Sequence, residues 1–161
     1  MKRRILRPLP LFGAGLALGV VSRLLDIYTQ NLGNIFSQTA VWILMGVLIS
    51  LYSTSPKKAM QNILPFCVGM LITYYCTAVI TKGVYSSVFI VGWTVFALAS
   101  PLLAYFTWLA KEKGAFAKLI GVGIVLTSVL STILLFDRLR IYDYFLNGLL
   151  VYFLFIRKIE R

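Results

Sequence analysis

The sequence contains no histidine among its 161 residues. This absence excludes histidine-based catalytic triads, histidine metal ligands and the HExxH motif of zinc proteases. The sequence also lacks a Walker loop, a GxGxxG motif and a CxxC pair, so the common nucleotide and redox motifs are missing. We therefore predict a protein that is not an enzyme and that holds no metal ion and no cofactor.

Acidic residues and cysteines are scarce. Five Asp and Glu stand against sixteen Lys and Arg, and no aspartate lies deep in a hydrophobic run, where an intramembrane aspartyl enzyme would need two. The two cysteines, Cys67 and Cys76, are nine positions apart in one apolar run. On a helix they would be separated by about 13.5 Å of rise, too far for a disulfide. We interpret both as small apolar fillers.

Hydrophobic residues, by contrast, make up 60% of the chain and charged residues only 13%. Soluble domains have roughly 45–50% apolar and about 25% charged residues, so this excess requires an apolar solvent. A net charge of +11 would suggest nucleic acid in a soluble protein. Here the bases sit in short clusters between apolar runs, which is typical of membrane loops. We predict the lipid bilayer as a partner and exclude nucleic acid.

Six hydrophobic runs predict one all-α domain, a polytopic integral membrane bundle of six transmembrane helices. The predicted spans cover about 9–25, 39–53, 63–81, 88–110, 115–136 and 140–156. Most are near the roughly 20 residues that cross hydrocarbon, and helices satisfy their own backbone there. The basic start followed by an apolar run also fits a cleavable signal peptide. The absence of a clear cleavage site and the further runs behind it favour a first span.

The distribution of bases predicts the orientation. With six spans, twelve of the sixteen Lys and Arg lie on the side that holds both ends of the chain. The positive-inside rule then places both ends in the cytoplasm of a multi-pass cell membrane protein. Five spans would divide the bases less cleanly.

Polar residues on the opposite side predict a binding site. Arg23 and Asp26 are three positions apart at the end of helix 1, and Arg140 and Asp143 have the same spacing at the start of helix 6. An unpaired charge at the membrane boundary would cost several kcal/mol. We expect one outward polar cluster that binds a ligand, or else ion pairs that tie helix 1 to helix 6. The predicted ligand-binding residues are Arg23, Asp26, Asn31, Asn34, Tyr74, Tyr75, Arg140 and Asp143.

Small residues mark helix-packing faces. Gly15 and Gly19 form a GxxxG pair on helix 1, and such faces let helices approach closely in lipid. The pair predicts an interface with a partner membrane protein, although packing inside the bundle is the alternative.

A faint internal repeat relates helices 2–3 to helices 4–5. Trp42 and Trp93 each begin a helix that ends before a basic turn. Membrane rules alone also place Trp and Lys in this way. If the two hairpins are related, a site between them is expected.

Four stretches carry a family resemblance: Gly19–Asp26, Trp42, Pro65–Tyr75 and Ser100–Ala104. Together they resemble an uncharacterised family of small six-span bacterial membrane proteins. The resemblance implies a role for Arg23, Asp26 and Tyr74–Tyr75 beyond filling lipid, and it implies no activity. The layout is also similar to the substrate-binding S components of energy-coupling factor transporters. That similarity implies capture of a solute from outside and docking on a coupling subunit through small residues of helix 1.

We therefore expect a non-enzymatic bacterial inner-membrane protein that binds a small solute at the outward polar cluster, with a transporter substrate-binding subunit as one form of it. The alternative is an assembly protein that packs against another membrane protein. A solute binder requires an outward pocket, whereas an assembly protein requires a filled bundle and an exposed Gly15–Gly19 groove.

Overall fold

The computed structural model describes residues 6–29, 35–36, 38–82 and 87–159. Within them the chain forms six helices, which confirms the all-helical fold class. The helices are α1 (Pro8–Tyr28), α2 (Thr39–Leu51), α3 (Pro56–Ile80), α4 (Ser87–Leu109), α5 (Ala115–Phe136) and α6 (Ile141–Val151). A π-helical turn, Tyr152–Ile156, continues α6.

Four helices are long and apolar enough to cross a membrane. They are Pro8–Tyr28, Pro56–Ile80, Ile90–Leu109 and Ala115–Leu135, whereas Thr39–Leu51 and Ile141–Ile156 are shorter apolar helices. These helices indicate a membrane protein. The number of spans and the orientation stay predictions.

Helix α3 starts seven residues before the predicted span at 63. The Ser55 hydroxyl caps it by accepting a hydrogen bond from the Lys58 backbone N–H at 3.2 Å, and Pro56 occupies the first turn. A Ser cap followed by Pro is a strong helix start. Lys57 and Lys58 therefore belong to the helix and not to a loop. Pro65, at the start of the predicted span, lies in the helix interior.

Helix α2 is the centre of the bundle. It contacts α3, α4, α5 and α6, and eight of its 13 residues are buried. An all-round apolar helix is expected inside a bundle. By contrast, α1 packs chiefly against α3, which in turn packs against α4.

We call the two ends of the bundle the Asp143 end and the Ser53 end. At the Asp143 end, α2 and α6 begin, and the Gln38 side chain contacts Tyr142. At the Ser53 end, α2 has finished and α3 is about to begin, and Trp108 near the end of α4 contacts Ser53. Each end of α2 is therefore held by polar contacts to other helices.

Candidate functional site

The predicted polar residues Arg23 and Asp26 form a salt bridge on α1. The Arg23 Nη1 lies 2.8 Å from the Asp26 Oδ2, and the Arg23 side chain is 8% exposed. The guanidinium lies 5.6 Å from the centre of the Tyr74 ring on α3, within cation–π range. Tyr75 meets Tyr74 edge-on with ring centres 5.3 Å apart. This first polar group joins α1 to α3.

Asp143 and Arg140 belong to a second polar group. The fully buried Asp143 carboxylate accepts a hydrogen bond from the Arg140 backbone N–H at 2.8 Å. The Gln38 amide, oriented to suit both neighbours, donates to Asp143 and accepts from the Tyr142 hydroxyl at 3.1 Å. The Arg140 Nη1 donates to the same hydroxyl at 2.6 Å. The bonds form a closed ring that returns to Arg140, and this second polar group joins α2 to α6.

The predicted site residues thus belong to two helix pairs. Arg23, Asp26, Tyr74 and Tyr75 lie on α1 and α3, whereas Arg140 and Asp143 lie at the start of α6. Asn31 and Asn34 lie outside the described residues. The contacts within each group hold helices together. This arrangement fits the alternative in which the polar residues tie helices to one another and bind no ligand. Among the residues that the structure describes, these contacts join α1 to α3 and α2 to α6, whereas the expected ties were between helix 1 and helix 6.

Gly15 and Gly19, the predicted partner interface, face α3 of the same chain. A Cβ at Gly15 would collide with the Phe66 carbonyl oxygen, and one at Gly19 would collide with the Met70 carbonyl oxygen. Both glycines are buried. Their small face is therefore used for packing inside the bundle, the alternative given for it above.

A third polar group, at the Ser53 end, was missed by sequence reasoning. The fully buried Asn62 donates to the Ser53 hydroxyl at 2.9 Å, and the Trp108 indole N–H donates to the Ser53 carbonyl at 3.1 Å. The Ser53 hydroxyl itself donates to the Ile49 carbonyl at 2.7 Å. These bonds connect α2, α3 and α4. Asn62 lies one residue before the predicted span at 63, so the sequence pattern contained no signal that this asparagine is buried.

A cavity of about 250 Å³ lies between α2, α3, α4 and α5. Its wall is mainly apolar, and none of its lining side chains is charged. The wall includes Trp42, Gly46 and Ser50 of α2, Cys67 of α3, Trp93, Ser100 and Thr107 of α4, and Gly123 and Thr127 of α5. None of the sequence-predicted ligand-binding residues lines it. The cavity lies between the two helix pairs, 2–3 and 4–5, where related hairpins would place a site.

The lining of the cavity has different lengths on different helices. On α4 it runs from Trp93 to Thr107, which corresponds to about 21 Å at 1.5 Å per residue. On α2 it runs from Trp42 to Ser50, which corresponds to about 12 Å. The cavity is therefore longest beside α4.

The side of the cavity between α4 and α5 is open. The lining residues Leu103 and Phe106 are 46% and 39% exposed, and Gly123 and Thr127 are also exposed. Few residues of α4 and α5 touch each other, in contrast to the tight α1–α3 pair. The cavity is therefore reached from the outer surface of the bundle between these two helices.

A molecule in the cavity would meet a mainly apolar wall. Apolar cavities exclude water but accept apolar molecules. A lipophilic occupant therefore suits this cavity better than water does.

In the part of the chain that the structure describes, no three Cys, Asp or Glu side chains lie close enough together to hold a metal ion. Cys67 and Cys76 are free thiols on α3, the first buried and the second exposed.

The chain belongs to a family of unknown function, DUF6518, whose model matches residues 2–154. This match confirms the predicted membership of an uncharacterised family. It does not bear on the number of spans or on the similarity to S components. No curated protein and no solved structure matches the chain.

Proposed function

We propose that this chain is a membrane-embedded binding protein that takes a small lipophilic molecule into the cavity between α2, α3, α4 and α5. The observation that carries the proposal is the cavity itself, which is apolar and open between α4 and α5. A largely apolar wall with a few polar groups is the usual character of small-molecule sites. The ligand reaches it from the bilayer and not from water.

The proposal keeps the binding function expected from the sequence and moves its site. Arg23 is paired with Asp26, and the Asp143 carboxylate is enclosed by Gln38 and Arg140. Buried charges that are hydrogen-bonded in this way stabilise helix contacts, which accounts for them without a solute. The cavity favours a binder over the assembly protein, because an assembly protein requires a filled bundle. Transport of the ligand, as a substrate-binding subunit would perform it, is one use of such a site.

The same proposal includes six spans in the cell membrane with both ends of the chain in the cytoplasm. The Ser53 end would then face the cytoplasm and the Asp143 end the outside. The excess of bases at the Ser53 end supports this orientation.

Quenching of tryptophan fluorescence tests the binding site. Trp42 and Trp93 line the cavity, so a bromine-bearing alkane that enters it will quench their emission. With the purified chain in a neutral detergent, we expect quenching that saturates as 1-bromododecane is added. Quenching that rises only in proportion to the bromoalkane, as random collision gives, would contradict the proposal.

Two glycine variants provide the matched comparison. A Cβ at Gly123 or at Gly148 would meet nothing within 4 Å, but only Gly123 lines the cavity. Both changes to leucine favour helix by about 1 kcal/mol. Gly123→Leu is expected to abolish the saturable quenching, whereas Gly148→Leu is expected to retain it. Equal quenching in the two variants would place the bound bromoalkane elsewhere.

A further inference from the structure

The polar atoms of the cavity wall select the chemistry of the ligand. Four hydroxyl groups line it, those of Ser50, Ser100, Thr107 and Thr127. Each donates its proton to a backbone carbonyl of its own helix, at 2.7 Å for Ser50 and Ser100 and 2.8 Å for Thr107 and Thr127. A hydroxyl that donates in this way still has lone pairs that accept. These four groups therefore present acceptors, and not donors, to a ligand.

The absence of charge from the lining limits the ligand further. No lysine or arginine lines the cavity to neutralise a carboxylate or phosphate, and no acid lines it to neutralise an amine. Burying an ionised group without a partner is strongly unfavourable. A neutral ligand is therefore favoured over an anionic or cationic one of the same length.

The positions of the hydroxyls suggest which way the ligand points. Ser50 lies in the last turn of α2 and Thr107 in the last turn of α4, both near the Ser53 end, and both are buried. Trp42 and Trp93, toward the Asp143 end, supply large apolar surfaces, and their indole N–H groups donate but do not accept. A ligand with one polar group would match this gradient if that group lay beside Ser50 and Thr107.

From these observations we infer that the ligand is a neutral single-chain amphiphile with one hydroxyl or similar hydrogen-bond donor, of the long-chain alcohol type. Its donor group binds at Ser50 and Thr107, and its chain extends toward Trp42 and Trp93. The inference rests on the proposed function, because it assigns the ligand class of the same cavity.

Three bromine-labelled probes of equal chain length test the ligand class. They are 12-bromododecan-1-ol, 12-bromododecanoic acid at a pH at which it is ionised, and 1-bromododecane. We expect the alcohol to quench Trp42 and Trp93 at the lowest concentration and the carboxylate at the highest. In a Trp108→Phe background, which removes the tryptophan at the Ser53 end, moving the bromine of the alcohol from carbon 12 to carbon 2 should weaken quenching at saturation. The bromine then lies near Ser50 and away from Trp42 and Trp93.

The double variant Ser50→Ala/Thr107→Val removes the two acceptors while keeping the volume of the wall nearly constant. One hydrogen bond contributes about 0.5–1.5 kcal/mol, so the affinity for the alcohol should fall roughly two- to tenfold. The affinity for 1-bromododecane should stay the same. The variant Thr127→Val, which changes a lining hydroxyl far from the Ser53 end, should leave the affinity for the alcohol closer to that of the unchanged chain.

The outcomes separate the ligand class from the binding function. If the alcohol binds no better than the carboxylate or the bromoalkane, or if the double variant binds it equally well, the ligand class is overturned while saturable binding sensitive to Gly123→Leu stands. If no probe gives saturable quenching, both the ligand class and the proposed function fail.

Discussion

Glycines on α1 differ sharply in what surrounds them. Gly19 lies against the α3 backbone, where an added Cβ would collide with the Met70 carbonyl oxygen and the Thr73 hydroxyl, whereas Gly13 has nothing within 4 Å. Gly19→Ala should therefore lower the free energy of unfolding by about 1–3 kcal/mol, as overpacking does. Gly13→Ala should be neutral or stabilise by up to about 1 kcal/mol. Denaturant unfolding in detergent measures both, and equal stabilities would contradict the packing of α1 on α3.

The ring of hydrogen bonds around Asp143 predicts an energetic coupling. Asp143→Ala leaves the buried Gln38 amide and the Arg140 N–H without their acceptor, which should destabilise the chain by about 1–3 kcal/mol. Gln38→Ala should cost less in the Asp143→Ala background than in the unchanged chain. A double-mutant cycle should give a coupling of about 0.5–3 kcal/mol. Additive effects would show that the two side chains do not interact.

Pairings of charged residues could be predicted from sequence only when they are local. The three-residue spacing of Arg23 and Asp26 places both on one helix face, and the structure has their salt bridge. The second polar group depends on Gln38 and Tyr142, which are 104 positions apart. No periodicity connects such residues, because only the packing of α2 against α6 brings them together. The contact of Asn62 with Ser53 spans only nine positions, and it was missed because the predicted span began at 63 and left Asn62 outside the helix.

At the scale of helices, a hydrophobic run predicts that a helix exists more reliably than it predicts the residues at which the helix begins and ends. The hydrophobic run that begins at 63 marks the point at which α3 becomes apolar. The helix itself starts earlier, at Pro56, directly after its Ser55 cap. Its first turns are polar, so hydropathy alone does not register them. For α2 the run predicted a short span, while its central position depends on contacts with four other helices.

The Ser55 cap gives a prediction about α3. Ser55→Ala removes the acceptor for the Lys58 N–H and should destabilise the start of the helix by about 1 kcal/mol. Hydrogen exchange of the backbone amides in the first two turns of α3 should become faster, while exchange near Met70 should not. Thr54→Ala, a change at the exposed neighbouring residue, is the control. Equal exchange in the two variants would show that the cap does not hold this helix end.

At the scale of the whole molecule, amino-acid composition was sufficient to predict the fold class but not to predict the cavity. Hydrophobic content and run length predict a helical membrane protein, because a bilayer constrains both strongly. The cavity arises where α4 and α5 fail to pack closely, and that depends on side-chain shapes along several helices at once. The faint likeness between helices 2–3 and 4–5 was the one feature that pointed to this region.

The orientation of the bundle is the last prediction, and cysteine labelling in intact cells tests it. In a background with Cys67→Ala and Cys76→Ser, single cysteines replace Thr54, Arg138 or Lys158, all of which are exposed. Six spans with both ends inside predict that a membrane-impermeant maleimide labels Arg138→Cys in intact cells. Thr54→Cys and Lys158→Cys should react only after the cells are permeabilised, which also controls for expression and reactivity.

Because each crossing reverses the side, labelling of Lys158→Cys but not Thr54→Cys from outside would require an odd number of crossings between them. Labelling of both from outside, with Arg138→Cys protected, would keep the six spans and invert the bundle, and the twelve bases assigned to the cytoplasm would then lie outside against the positive-inside rule.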